Sequence, residues 1–154
     1  MKQNDELDGI LKLENQMCFP FYAASRLIVQ AYGPGLTKLG ITYPQYLVLM
    51  VLWENDGASV KEIGERLYLD SGTLTPLLKK MTDSKLIQRR RDKSDDRIVL
   101  NFLTKKAVNL KTKAKQMSHQ LFCETELTLE EAVNIKSTVQ GLLNRLIKIS
   151  ELKK

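Results

Sequence analysis

The stretch that decides the fold is "SVKEIGERLYLDSGTLTPLLKKM", Ser59 to Met81. Ser59 followed three residues later by Glu62 is a capping box, each side chain meeting a backbone donor at the other's position, so a helix opens at Val60. Val60, Ile63 and Leu67 fall at helical spacing and give that helix one apolar face. Tyr68 and Leu69 interrupt it, and Asp70 and Ser71 then cap a second helix running to about Ser84. Two short helices joined by a tight turn form a helix-turn-helix candidate. Pro76 lacks an amide hydrogen, which predicts an irregular first turn in the second helix.

Toward the C-terminus, Leu86 to Arg91 and Ile98 to Leu103 are strand-like and bracket the hydrophilic loop from Asp92 to Arg97, a β-hairpin with a charged tip. By strand alternation Arg89 and Arg91 share one face and Arg90 takes the other, while Arg97 sits at the tip beside Asp95 and Asp96. A helix-turn-helix followed by a basic hairpin reads as a winged helix, with the second helix in the major groove and the hairpin over the backbone or minor groove. Ser71, Thr73 and Thr75 offer hydroxyls to phosphates or base edges, and Lys79 and Lys80 neutralise phosphates. An arginine reaching a narrow minor groove would be steadied by one of the aspartates. A charge run is more often a solvated face, but this one follows a helix-turn-helix directly.

On the other side, Thr42 and Gln45 make a further cap with Pro44 in the first turn, and the apolar run Tyr46 to Trp53 carries a helix that stops before Asp56-Gly57. Leu13 to Ala31 reads as a helix apolar over much of its circumference, suited to burial between other elements, and Gly33-Pro34-Gly35 is expected to end it. After the hairpin, Thr104 caps a long polar helix reaching Cys123, and Thr128 with Glu131 opens the last helix. In that helix Ile135, Val139, Leu142, Leu146 and Ile149 alternate spacings of four and three, a coiled-coil-like seam. The seam either packs within its own chain or dimerises, with the N-terminal helix supplying the other half.

The totals agree with a single-domain DNA-binding protein. A chain of 154 residues that is 43% hydrophobic supports one globular core, and 27% charged with 6% aromatic residues excludes disorder on composition. No apolar run approaches the roughly 18 to 20 residues of a membrane span. The polar start from Met1 to Glu6 does not lead into a short apolar segment, so a secretory signal is not expected, and a reducing cytosol is. There cysteines are more often reactive or metal-binding than structural. The formal charge of +6 and pI near 9.3 favour an acidic partner such as nucleic acid.

The chain has two cysteines. Cys18 lies in "NQMCFPFYAASRLIVQAY", Asn15 to Tyr32, two residues before Pro20. Proline fits a first helical turn and not an interior, so the main helix is expected to start, or restart, near Phe19 with Cys18 at its N-terminal end. The helix dipole and free amides there favour an anion and draw a thiol toward the thiolate, the form that attacks the O–O bond of a peroxide. Met17, Phe19, Phe21 and Leu47 oppose this by desolvation, so compensating donors are needed. The same apolar walls would favour an apolar reactant over a polar one, since each buried methylene contributes about 0.8 kcal/mol. The plainer alternative is that Cys18 is a small buried hydrophobe.

"LYLDSGTLTPLLKKM" (Leu67 to Met81), "DDR" in the wing and "LENQMCFPFYAASR" (Leu13 to Arg26) together resemble the MarR family, within it the organic hydroperoxide-sensing OhrR branch. The likeness runs from about Lys12 to Leu103 and loosens in the last two helices. It implies a mainly α fold with a small β-hairpin wing: one domain over 1–154, a winged helix-turn-helix over 42–103, and dimerisation helices at 7–32 and 104–154. It implies a cytoplasmic homodimeric repressor, bound to pseudo-palindromic double-stranded DNA and released when an organic hydroperoxide oxidises Cys18. The resemblance places Ser71, Thr73, Thr75, Lys79 and Lys80 at the major groove and Arg97, oriented by Asp95, at the minor groove, beside Arg89 and Arg91 of the wing. Tyr32 and Tyr43 match tyrosines that hydrogen-bond the sensing sulfur from the partner subunit. In two-cysteine members a sulfenic acid condenses with a distal cysteine of the other subunit, a resolving place that Cys123 fits. No cofactor or metal is implied.

Two other functions compete. His119 and Cys123, four residues apart on one helix face, would make the thiolate–imidazole pair of a thiol-dependent peroxidase, though without an orienting third group. Two cysteines and one histidine do not supply a tetrahedral zinc site, and no Walker loop, Rossmann glycine pattern or HExxH occurs. The closer rival is a winged-helix regulator that answers another oxidant or a small phenolic ligand.

Overall fold

Leu49, Leu52, Ile63, Leu74, Leu78, Met81, Leu86 and Ile87 are all but inaccessible to solvent and form the centre of the core. All but Leu86, which lies in the turn just before Ile87, come from four elements. The computed structural model describes residues 9–151; the polar start at 1–6 and residues 7–8 and 152–154 of the two expected dimerisation segments lie outside the described residues. After a 3-10 turn at Leu13–Asn15 come α1 (Cys18–Leu39), α2 (Tyr43–Glu54), β1 (Ala58–Ser59), α3 (Val60–Leu67), α4 (Ser71–Asp83), β2 (Ile87–Arg91), β3 (Val99–Leu103), α5 (Lys105–Glu124) and α6 (Leu129–Glu151). The chain divides into two compact units, Met1–Ser118 and His119–Lys154.

The expected caps form. Ser59 Oγ accepts from Glu62 N–H at 3.2 Å while Glu62 accepts from Ser59 N–H at 2.7 Å. Gln45 reaches back to Thr42 N–H at 2.9 Å, and Thr128 and Glu131 close the same reciprocal pair at the start of α6. Tyr68, in the left-handed region at φ 55°, turns the chain between α3 and α4. Leu74, Leu78 and Met81 then repeat along the buried face of α4. The three strands form one antiparallel sheet in the order β1-β3-β2, with Arg89 opposite Asn101 and Ala58 on the other side of Asn101. Two-residue β1 carries no period that a sequence pattern could reveal.

Four expectations about helices need correction. The N-terminal helix starts at Cys18 and not at Leu13, because Gln16 adopts an extended backbone after the 3-10 turn. It runs through Gly33-Pro34-Gly35 to Leu39. Gly33 has no Cβ to clash with the Pro34 ring, and the carbonyl of Gln30 that Pro34 leaves unpaired belongs to an exposed residue, so water can satisfy it. Gly35 is a packing glycine: a Cβ there would meet the Met117 side chain at 2.6 Å. The true stop is Gly40 at φ 68°, where Gly40 N–H donates to Thr37 and Ile41 N–H to Leu36, and the last two are both buried.

Pro76 likewise does not disturb the start of α4. The first turn is closed by Asp70, which accepts from Thr73 N–H at 2.8 Å, and Pro76 falls in the second turn above the exposed Gly72. Finally, α1 is not buried within its own chain. Leu36 is its one buried residue, and Tyr22, Leu27 and Ile28 are half exposed or more.

Candidate DNA-binding and thiol sites

With one face of α4 committed to the core, the other presents Ser71, Thr75, Lys79 and Lys80 to solvent. Thr73 is exposed too, but its hydroxyl donates to Asp70 Oδ2 at 2.9 Å, leaving its lone pairs as the outward function. These two donations hold the Asp70 carboxyl below its usual range, the backbone contact contributing most. The helix start is therefore pinned by an anion that the acceptor-hungry first turn favours.

In the wing, Asp92 accepts from Ser94 and Asp95 backbone amides at 2.7 and 3.1 Å and so shapes the tip. Asp95 then takes the Arg97 guanidinium side-on: Nε and Nη2 each donate at 2.9 Å, to Oδ1 and Oδ2 respectively. Arg97 N–H adds a third bond at 3.0 Å. The contact holds the Asp95 carboxyl below and the Arg97 guanidinium above their ordinary ranges. Because the Arg97 side chain is 90% exposed, the fork does not anchor the fold; it presents one guanidinium edge outward in a fixed orientation. Arg90, on the opposite strand face, lies over the Phe102 ring at 5.4 Å. Arg89 and Arg97 instead line a shallow hollow of about 310 Å³ with Lys61, Ser59, Val60 and Ile98. Lys61 joins this surface because the β1–β3 pairing brings the start of α3 beside the wing, which no local sequence pattern announces.

Cys18 is the first residue of α1 and is exposed. The apolar neighbours expected around it do not enclose it within one chain: Met17 is 69% exposed and Phe19 and Phe21 are exposed as well. Tyr32 stands fourteen positions further along the same helix, roughly 21 Å away at about 1.5 Å per residue. One chain cannot bring that phenol to its own Cys18.

Tyr32 packs with Tyr43 and Tyr46, ring centroids 5.3 and 5.7 Å away, and Trp53 meets Tyr46 at 6.2 Å. Burial, and then the neighbouring phenols, push the Tyr43 hydroxyl up, so it stays a protonated donor. Tyr46 is also pushed up by burial, against a 2.6 Å hydrogen bond with Ser118. Beside this cluster Tyr46, Met50, Trp53, Lys111 and Lys115 line an open cavity of about 360 Å³. Cys123 is exposed near the end of α5, with its Sγ 3.8 Å from His119 Nδ1. Among the described residues no group of three or more His, Cys, Asp or Glu is placed to hold a metal ion, and no helix is long and apolar enough to cross a membrane.

A family model described as transcriptional regulator SarA/Rot matches residues 30–114. The organic hydroperoxide resistance transcriptional regulator of Bacillus subtilis is 47% identical over 136 residues, which cover 88% of this chain and 92% of that protein. The structure of reduced AbfR bound to DNA is similar with a TM-score of 0.73 at 35% identity, covering 96% of this chain and 99% of that one; AbfR is a protein of Staphylococcus epidermidis. Disulfide-formed AbfR is similar with a TM-score of 0.62 at 32% identity, covering 91% and 98%. A MarR transcriptional regulator of Methanosarcina mazei, 23% identical with a TM-score of 0.74 over 84% and 95% of the two chains, shares the fold. The relatives and the matched family are transcriptional regulators, which removes the peroxidase reading.

Proposed function

Since the chain belongs to the SarA/Rot transcriptional regulators and shares the fold of a MarR regulator, we propose that it is a homodimeric DNA-binding repressor released from its operator when an organic hydroperoxide oxidises Cys18. The 47% identical relative is named for organic hydroperoxide resistance, and AbfR has been solved reduced on DNA and with a disulfide formed. The observation that carries the sensing half is the place of Cys18, exposed as the first residue of α1. The chemistry there is a two-electron step. The thiolate attacks the distal peroxide oxygen, the O–O bond breaks, an alkoxide leaves and takes a proton from water to become the alcohol, and a sulfenic acid remains.

The DNA half rests on α4 and the wing. Ser71, Thr73 and Thr75 with Lys79 and Lys80 enter the major groove, and Arg97 on its Asp95 fork reaches the minor groove, with Arg89 and Arg91 over the backbone. This part spans residues 42–103. The segments 7–32 and 104–154 build the dimer. Support comes from the apolar residues that one chain leaves uncovered, Leu27 and Ile28 on α1 and Ile135, Val139, Leu146 and Ile149 on α6. Dimerisation also answers the distance between Cys18 and Tyr32: Tyr32 and Tyr43 of one subunit would donate to Cys18 of the other. Two recognition helices must meet half-sites about one DNA turn apart. A Cys18–Cys123 disulfide between subunits draws Cα atoms to within about 7 Å, so its formation shifts the helices and spoils that spacing. As a DNA-bound repressor the protein would act in the cytoplasm.

The aromatic cavity beside Tyr46 and Trp53, with two lysines on its rim, favours a second reading in which a small phenolic ligand is the signal. The deciding experiment adds cumene hydroperoxide, hydrogen peroxide or a phenolic acid to the dimer on operator DNA. Release at the lowest dose by the organic hydroperoxide supports the first reading; release by the phenolic acid alone supports the second.

A further inference from the structure

The two cysteines occupy opposite ends of helices. Cys18 opens α1, whereas Cys123 is the last residue but one of α5. A thiol must lose its proton before it can attack a sulfenic acid. His119, the one histidine of the sequence, lies one turn before Cys123 with Nδ1 3.8 Å from Sγ, both side chains exposed. With the ring proton on Nε2, Nδ1 presents its lone pair to the thiol.

We propose that His119 is the general base of the resolving step, taking the Cys123 proton as Cys123 attacks the oxidised Cys18 of the partner subunit. The inference rests on the reading of Cys123 as the resolving cysteine. In the step, the Cys123 thiol proton passes to His119 Nδ1 and Cys123 sulfur forms a bond to the Cys18 sulfur. The S–O bond of the sulfenic acid breaks, and the departing hydroxide takes the proton from the imidazolium and leaves as water. The organic hydroperoxide has already supplied both oxidising equivalents, so no further reactant is needed. His119 thus sets the speed of disulfide closure without affecting the first oxidation.

The test treats the full-length dimer at pH 7 with one equivalent of cumene hydroperoxide per subunit. Cys18 sulfenic acid is trapped with dimedone in one arm, and the intersubunit disulfide is followed on non-reducing gels in the other. His119→Gln should gain dimedone label at the rate of the parent and close the disulfide about tenfold more slowly. Added imidazole should restore closure, which it would not do for a purely structural defect. Equal closure rates in parent and variant, or a slow closure that imidazole leaves unchanged, overturn the proposal while leaving the two-cysteine reading in place. A parent that gains sulfenic acid and never forms the intersubunit disulfide removes that reading and the role of His119 with it.

Discussion

Replacing Gly64 with alanine sets two effects against each other at the turn that aims α4. Alanine is the better helix former by about 1 kcal/mol, which alone would stabilise α3. The turn opposes it. Leu69 N–H donates to the Gly64 carbonyl at 3.0 Å, which brings the Leu69 carbonyl back over α3. A Cβ on Gly64 would stand 2.7 Å from that oxygen, whereas ordinary contact begins at 3.4 Å, so the oxygen has to retreat by about 0.7 Å. It is a backbone atom beside a hydrogen-bonded turn and cannot swing aside as a side-chain tip does. Overpacking of this kind costs roughly 1–3 kcal/mol, so the net expectation is destabilisation by about 1 kcal/mol. Relief of the clash would tilt α4 against α3, and operator affinity should fall with stability.

The assay is urea unfolding followed by circular dichroism at one fixed protein concentration, because the stability of a dimer depends on its concentration. The midpoint should drop with an unchanged slope. Glu65→Ala, one residue away and exposed, is the control and should move little. A Gly64→Ala protein as stable as the parent, with operator affinity intact, would refute the argument that this turn requires glycine.

Lys79→Ala should lower the log–log slope of operator affinity against salt by about two units, one for each subunit of the dimer, as should Arg97→Ala, since each subunit contributes one such backbone phosphate or groove contact. Anisotropy titrations across salt concentrations read this directly, and an unchanged slope in both variants would separate these residues from DNA. Acid should weaken the start of α4. The Asp70 carboxyl lies below its ordinary 3.8, so its contribution is complete above that value and is lost as pH falls through the lower folded one. Asp70→Asn keeps a capping oxygen without the titration, and its unfolding midpoint should depend less on pH below about 4. An identical acid profile in the two proteins would contradict the cap's role.

What could be read from the sequence was set by how local the physics is. The caps at Ser59, Asp70, Thr104 and Thr128 depend on residues three positions apart, and each forms as the spacing predicts. Pro20 likewise pointed to a helix starting beside Cys18. Gly33-Pro34-Gly35 misled because its purpose is not local: Gly35 lies against Met117, a residue more than eighty positions away, and nothing nearby in sequence announces that approach. Lys61 came to the wing through a two-residue strand too short to carry a period. The Asp95–Arg97 fork was legible as a choice between two aspartates, and the side-on geometry selects Asp95. The aromatic cluster around Tyr32, Tyr43 and Tyr46 required the packing of α1 on α2 before its members met.

The central claim is that one thiol converts an organic hydroperoxide into release from DNA. The most direct measurement is fluorescence anisotropy of labelled operator DNA bound by the Cys18→Ser dimer, before and after cumene hydroperoxide. Binding should equal that of the parent, with no release at a dose that frees the parent completely. Release of the Cys18→Ser protein at the same dose would contradict the claim.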